Sequence, residues 1–260
     1  SGSESEPESS LESEPDSESE SSLESESESE PESGSDPGSG KESTAEPETE
    51  SESEDSQEEL VELKVSVGDT ISFGTCEQDN NISNGKESIS WTVLEVKDDR
   101  ALLISSACID CIPFNEEYTK VTWETCSLRK WMNDSFYNSA FTAEEKKRIV
   151  TSDVPAEPNT EYGTAAGNDT RDRIFALSIQ EAEKYFKTAK ERMGKPTAYT
   201  VSKNPLTNIE TGTCKWWLRT PGDVTSIAAG VNEDGSITYL GLCVDGTTFT
   251  VRPAMRIRLK

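Results

Sequence analysis

The sequence of 260 residues contains no histidine. This absence removes the Ser-His and Cys-His pairs that activate nucleophiles, the common histidine-containing zinc sites and imidazole acid–base catalysis. The chain also lacks a Walker A or Rossmann glycine motif and any run of about 18 apolar residues that could cross a membrane. These absences exclude most hydrolases and nucleotide-binding enzymes. We therefore predict no catalytic residue, no metal site and no cofactor.

The first 60 residues contain 23 acidic residues, one basic residue and no aromatic residue, for a net charge of −22. The other 200 residues carry 24 basic and 28 acidic residues, for a net charge of −4. Because so little apolar surface cannot offset the entropy lost on ordering, residues 1–60 are predicted to form a disordered Ser/Glu-rich stem or linker. A phosphorylated acidic tract is the alternative. Because nucleic acids are themselves negatively charged, a segment with this net charge argues against a nucleic-acid partner.

Residues 61–260 mix strand and helix patterns before residue 215 and show strand patterns alone after it. Helix starts are indicated by Ser/Thr-x-x-Glu capping boxes, and hairpins by pairs of turn-forming residues. These signals are the capping boxes Thr142/Glu145 and Ser178/Glu181 and the turns Asp98-Asp99 and Asp234-Gly235. The pattern predicts one α+β domain over 61–260, with antiparallel strands in its C-terminal half.

The stretch "KWWLRTPG" concentrates two of the five tryptophans beside an arginine and a turn. In a strand, Trp216 and Trp217 point to opposite faces, so one joins the core and the other can cover a groove. An indole beside a guanidinium and loop carboxylates suits a polar ligand. The candidate ligand-binding residues, expected on one rim, are Trp217, Arg219, Asp223, Asn232 and Asp234. The alternative packs Trp217 against Met255 or Phe249 and pairs Arg219 with an internal acid.

Four motifs resemble a bacterial family of unknown function that is common on surface proteins of anaerobic Gram-positive bacteria. In chain order they are "TWETCSLRKWMNDSFYNSAFTAEEKKRI", "DRIFALSIQEAEKYF", "KWWLRTPG" and "TVRPAMRIRL", and the resemblance covers residues 66–260. The tryptophan-rich C-terminal half is similar to the C-type-lectin-like fold of formylglycine-generating enzymes and of the variable proteins of diversity-generating retroelements. The resemblance implies a C-type-lectin-like fold by analogy.

Six cysteines are spread over the domain, and an even number in an exported chain favours disulfides over buried free thiols. The "CIDC" motif (108–111) lacks a second pair for zinc, and Pro113 disfavours the helix that a redox motif needs. Formylglycine-generating enzymes use a C-terminal cysteine pair for copper-assisted oxidation, and Cys214 and Cys243 lie in the corresponding half. Neither aligns with that enzyme's motif, so a structural cross-strand disulfide between them is predicted.

These features together predict a non-enzymatic binding or adhesion module that recognises an extracellular glycan or protein ligand as a monomer. The Ser/Glu stem resembles the segment that follows the lipidated cysteine of bacterial surface lipoproteins, which implies a cell-surface location. A membrane is expected as a partner only through a lipid anchor preceding residue 1. The alternatives are an oxidase-type enzyme related to formylglycine-generating enzymes and a purely structural envelope domain.

Overall fold

Antiparallel sheets and a few short helices make up the fold. The computed structural model describes residues 61–260, and the stem predicted for residues 1–60 lies outside this range. The strands are β1 (Thr70–Cys76), β2 (Glu87–Lys97), β3 (Arg100–Ser105), β4 (Ile149–Val150), β5 (Ser152–Val154), β6 (Thr170–Asp172), β7 (Ile174–Phe175), β8 (Trp216–Pro221), β9 (Ile227–Val231), β10 (Ile237–Cys243) and β11 (Ala254–Arg258). The helices are α1 (Ser127–Trp131), α2 (Tyr137–Ala140), α3 (Ala143–Arg148), α4 (Ile179–Tyr185), α5 (Ala189–Arg192) and α6 (Ala198–Ser202), with a π-helical turn at Met132–Phe136 between α1 and α2.

The largest sheet has the order β1-β2-β3-β11-β4, with β7 also pairing with β11. The predicted hairpin at Asp98-Asp99 is confirmed, and it joins β2 to β3 with Lys97 opposite Arg100. Asp98 has a φ of 55°, a left-handed conformation that aspartate tolerates better than most residues. The C-terminal strand β11 lies between β3 and β4, so the end of the chain contributes an interior strand of this sheet.

The second sheet has the order β10-β9-β8 and contains most of the "KWWLRTPG" stretch. The predicted turn at Asp234-Gly235 is confirmed, since it joins β9 to β10. The other edge of β8 is covered by the segment around Thr250, whose backbone N–H and C=O pair with Lys215 and Trp217. With partners on both edges, β8 is an interior strand, and all six of its residues are buried.

Residues 128–136 have one buried helical face, with Leu128, Met132 and Phe136 four residues apart and all buried. The helix is interrupted by the π-helical turn, which contains Asn133. The Asn133 amide donates to the Ile174 carbonyl at 2.8 Å and accepts from the Ile174 N–H at 3.2 Å. The Asn133 side chain therefore pairs with the backbone N–H and C=O of Ile174 in β7, as the backbone of a neighbouring strand would.

Both predicted capping boxes are confirmed. Thr142 and Glu145 exchange side chain-to-backbone hydrogen bonds at the start of α3, and Ser178 and Glu181 do so at the start of α4. Each box satisfies backbone N–H groups that a helix leaves unpaired at its first turn. The box of α4 lies beside β8, and the polar groups of the candidate site are built on it.

Candidate functional site

Both tryptophans of "KWWLRTPG" are core residues, with 0% and 1% of Trp216 and Trp217 exposed. The ring of Trp217 stacks on Phe249 with centroids 4.4 Å apart, and its Nε1 donates to the Ile112 carbonyl at 2.9 Å. On the opposite face of β8, Trp216 packs against Phe186. The expected partly exposed tryptophan is absent because β8 is covered on both faces, and the alternative packing of Trp217 against Phe249 is the one observed.

Arg219 is also buried, with 3% of its surface exposed. Its guanidinium donates to the carboxylate of Glu181 and, at 3.0 Å, to the Ala176 carbonyl. A second carboxylate, Glu157, lies 3.6 Å from Nη2. Arg219 therefore lies behind a pair of carboxylates and not on a solvent-exposed rim, as the alternative of an internal ion pair anticipated.

The capping box of α4 links the two carboxylates. Glu181 accepts from the backbone N–H of Ser178 at 3.1 Å, while the Ser178 hydroxyl donates to Glu157. Arg219, Ser178, Glu157 and Glu181 thus form one connected polar network, which we call the Arg219 network. The carboxylate side chains remain 34% and 17% exposed, so the network reaches from the core to the surface.

An open cleft of about 360 Å³ lies over the Arg219 network. It is lined by residues of the β5 region, α4 and the first sheet, namely Glu95, Lys97, Asp153, Val154, Pro155, Glu157, Phe175, Gln180, Glu181, Lys184, Tyr185 and Arg256. The Oε1 atom of Gln180 is buried and has no hydrogen-bond partner. The cleft therefore combines fixed carboxylates, the side chain of Gln180 and a partly buried tyrosine ring.

The far side of this cleft holds a second charged group. Lys184 donates to Glu95 at 2.9 Å, and Arg256 lies 3.3 Å from the same carboxylate. The Lys184 hydrogen bond, together with the positive charges of Lys184 and Arg256, outweighs burial and lowers the pKa of Glu95. Glu95 is therefore ionised at neutral pH, and the Lys184 ammonium also lies over the Tyr185 ring.

The remaining candidate ligand-binding residues do not join this cleft or share one rim. The loop that contains Asp223 precedes β9, whereas Asn232 and Asp234 follow it, so they lie at opposite ends of that strand. Asp234 accepts from the N–H and hydroxyl of Ser236, and Asn232 donates to the same hydroxyl. Asn232 and Asp234 thus stabilise the β9–β10 turn. The single-rim expectation is wrong because consecutive turns of an antiparallel meander alternate between the two ends of the sheet.

The structure also separates the two cysteines predicted to form a disulfide. Cys214 is buried just before β8, while Cys243 is exposed at the end of β10, and both thiols are free. Strand β9 lies between β8 and β10, which separates them by about 10 Å. Cys243 is opposite Ile227 at one end of β9, whereas β8 begins opposite Val231 at the other end. This separation exceeds the reach of a disulfide, so the predicted pairing is corrected.

Three carboxylates at Glu77, Asp79 and Glu87 lie within 4.8 Å of one another and could contribute oxygen ligands to a cation. Their oxygens already accept hydrogen bonds within the loop, including 2.6 Å from the Gln78 N–H to Glu87 and 2.8 Å from the Asn81 N–H to Asp79. These bonds account for the cluster as part of the loop structure.

In the sequence, Ser178 and Glu181 are recognisable only as a helix cap, and four residues of the cleft were not predicted as site residues: Glu157, Gln180, Lys184 and Tyr185. One signal was present: Gln180 and Lys184 are spaced four residues apart on α4, so they lie on one polar face of the helix. The contribution of Glu157 has no local signal, because it depends on the packing of the 155–158 loop against α4.

Within residues 61–260, no helix has the length and apolar character needed to span a bilayer. The observed architecture is a mixed α/β domain of antiparallel sheets with a polar cleft at the start of α4. Residues 98–259 match the family described as Domain of unknown function (DUF6273), and the chain belongs to this family. No curated protein and no solved structure matches the chain significantly.

Proposed function

We propose that this protein is a non-enzymatic binding module that recognises a glycan through the cleft over the Arg219 network. The observation that carries the proposal is the fixed arrangement of acceptors, in which Arg219 and Ser178 orient Glu157 and Glu181 from behind. Sugar hydroxyls donate to such carboxylates, and the partly exposed side chains of Glu157 and Glu181 line the cleft. A protein segment with exposed donors is the alternative ligand.

Carboxylates that are held in place by hydrogen bonds are better suited to binding a ligand than to transferring protons. Glu181 accepts from both the Arg219 guanidinium and the Ser178 N–H, so its carboxylate caps the helix and pairs with a buried charge. A group that must gain and lose a proton during turnover would disrupt both interactions at each cycle. The oxidase alternative would need a pair of cysteines that a substrate can reach, yet Cys214 is 0% exposed and is separated from the exposed Cys243 by strand β9.

The C-type-lectin-like fold, the cell-surface location and the monomeric state belong to the same proposal. The antiparallel strands β8–β10 after residue 215 support the fold assignment at the level of architecture. The acidic Ser/Glu-rich composition of residues 1–60 supports a spacer role at a cell surface. A purely structural envelope domain remains the competing interpretation, and binding measurements separate the two.

The test is binding of the full chain to an array of bacterial and host glycans, followed by calorimetry on the ligands found. We expect Glu157→Gln and Gln180→Ala to weaken binding about tenfold or more while the melting temperature stays close to that of the wild type. The control is Glu117→Gln, an exposed glutamate outside the cleft. If the wild type binds no glycan on the array, or if the cleft variants bind as the control does, the proposed function is wrong.

A further inference from the structure

Cys108 and Cys214 lie side by side in the core although they are far apart in sequence. Cys108 follows β3 and Cys214 precedes β8, and each is 0% exposed. Both pair with the segment between α5 and α6: the Cys108 N–H donates to Lys195 at 2.8 Å, and the Cys214 N–H donates to Gly194 at 2.8 Å. Both sulfurs lie against the same glycine, since a Cβ atom at Gly194 would be 2.5 Å from the Cys108 sulfur and the Cys214 sulfur is 3.6 Å from the Gly194 carbonyl oxygen. The fold therefore brings two buried thiols to one residue of this segment.

Gly194 makes room for this contact. A Cβ atom at Gly194 would lie 2.5 Å from the Cys108 sulfur and 3.1 Å from the Trp216 ring. Any larger residue would push the Cys108 sulfur out of its position. The glycine is thus required here for space, and the backbone of residues 194–195 covers the thiol pair.

The nearby guanidinium of Arg252 is an unusual group to find beside two thiols. Arg252 is 5% exposed, and its carbon Cζ lies 5.3 Å from the ring centres of both Phe186 and Trp216. Its Nε donates to the Ser105 carbonyl at 2.9 Å, but Nη1 is buried without a hydrogen-bond partner. Among the described residues no carboxylate forms an ion pair with Arg252, and the ionisable groups that act on it are Cys108 and Cys214.

A buried cation without a carboxylate partner is costly, and an anion beside it lowers that cost. Burial opposes ionisation of Cys108, but the hydrogen bond from Cys214, the charge of Arg252 and the hydroxyl of Thr250 together lower its pKa. The hydrogen bond to Cys108 and burial raise the pKa of Cys214. The pair is thus asymmetric: the Cys108 thiol ionises more readily than the Cys214 thiol.

We propose that Cys108 and Cys214 form an intramolecular disulfide by exchange with a low-molecular-weight disulfide. The Cys108 thiolate attacks one sulfur of the oxidant, the oxidant's S–S bond breaks, and one thiolate leaves. Cys214 then loses its proton to that thiolate and attacks the Cys108 sulfur, and the second thiolate leaves and takes up the proton that Cys108 gave up on ionising. Two cysteine thiols are oxidised by two electrons, and one small disulfide is reduced to two thiols. The bond joins the segment after β3 to the start of β8 and so ties the two larger sheets together.

Two competing pairings are less favourable. The "CIDC" motif suggests Cys108 with Cys111, but the Cys111 thiol points to the Thr247 and Phe249 carbonyls at 3.1 and 3.4 Å. Burial raises the pKa of Cys111 to about 11, which makes it a poor nucleophile at neutral pH. The pairing of Cys214 with Cys243 requires contact across strand β9, as described above.

Because the pair is covered in the folded chain, we expect exchange to be fast during folding and slow in the native protein. The experiment is refolding of the reduced full chain in buffers that contain reduced and oxidised glutathione, followed by alkylation of free thiols and peptide mapping by mass spectrometry. We expect one internal crosslink, Cys108 to Cys214, and alkylation of the four other cysteines, Cys76, Cys111, Cys126 and Cys243. The oxidised protein should melt several degrees higher than the reduced protein, because the crosslink restricts the unfolded chain.

The Cys111→Ser variant is the matched control and should keep both the crosslink and the shift in melting temperature. Cys108→Ser and Cys214→Ser should lose both. If either variant fails to fold, the peptide map of the wild type still shows whether Cys108 and Cys214 are crosslinked. A crosslink between Cys108 and Cys111 or between Cys214 and Cys243, or six alkylated cysteines at every glutathione ratio, overturns the proposal.

Discussion

The Nη1 atom of Arg219 donates a hydrogen bond to the Glu181 carboxylate, which joins strand β8 to the first turn of helix α4. Arg219 thereby contributes to the core and also orients a carboxylate that lines the cleft. The guanidinium is buried and neutralised by acids, and the same acids present their remaining oxygens to solvent. The consequence is that substitution of the buried Arg219 affects stability first and binding second, whereas substitution of the more exposed Glu157 affects mainly binding.

Arg219→Ala is expected to lower the free energy of unfolding by about 3 kcal/mol, because it removes the buried partner of Glu181 and Glu157. The control is Arg171→Ala, whose ion pair with Asp153 is largely exposed and should contribute less than about 0.5 kcal/mol. Urea denaturation of both variants provides the measurement. A loss below about 1 kcal/mol for Arg219→Ala would show that the buried network contributes little to stability.

Local sequence signals predicted the parts of this fold that depend on neighbouring residues. The capping boxes at Thr142 and Ser178 and the turns at Asp98 and Asp234 are of this kind, since their hydrogen bonds close within four residues. The surroundings of Trp217 could not be predicted in the same way. Alternation along β8 shows that its two tryptophans face opposite sides, but burial of both depends on Phe249 and Phe186 arriving from distant segments.

The cleft and the thiol pair were beyond sequence reasoning for the same reason. Glu157 reaches Ser178 across 21 residues, and Cys108 and Cys214 are brought to neighbouring residues 195 and 194 from segments more than 100 residues apart. The motif "CIDC" drew attention to the near neighbour Cys111, although spatial contact selects the distant Cys214. Sequence spacing is informative about local chemistry and says little about which distant residue completes a site.

Trp217→Phe is expected to cost about 2 kcal/mol, because it leaves a gap beside Phe249 and removes the hydrogen bond to the buried Ile112 carbonyl. Trp131→Phe is the matched control, since Trp131 is only partly buried and should cost less than about 1 kcal/mol. Thermal and urea unfolding report both values. If the two substitutions cost the same, Trp217 is not the core residue that its packing indicates.

Gly235→Ala is expected to destabilise the domain by about 2 kcal/mol more than Gly212→Ala. Both glycines have positive φ, 81° and 65°, so both variants incur the penalty of about 1 kcal/mol for a left-handed alanine. A Cβ at Gly235 would also lie 1.8 Å from the Ala189 carbonyl oxygen, whereas at Gly212 nothing lies within 4 Å. Equal denaturation midpoints for the two variants would contradict the close contact between the β9–β10 turn and α5.

Glu145→Gln is expected to lower stability by about 1 kcal/mol at pH 7 and to have no effect near pH 2. The Glu145 carboxylate accepts from the N–H groups of Thr142 and Gly74, at 2.8 and 2.7 Å, and so ties α3 to β1. Burial opposes ionisation, but these backbone hydrogen bonds and the Thr142 hydroxyl outweigh it and lower the pKa of Glu145. Because the folded-state pKa lies below the unfolded one, the stabilisation is complete above about pH 5.5 and is lost as pH falls through the folded-state pKa.

The measurement is the urea midpoint of wild type and Glu145→Gln between pH 2 and pH 7. Glu144→Gln is the control, since Glu144 is exposed and pairs only with Lys147 among its described ion-pair partners, so its effect should stay below about 0.5 kcal/mol. The wild type and Glu145→Gln should differ most at neutral pH and converge in acid. A difference that stays constant over the whole pH range would mean that the glutamine loses packing and not charge-assisted hydrogen bonds, and the proposed role of the Glu145 carboxylate would then be wrong.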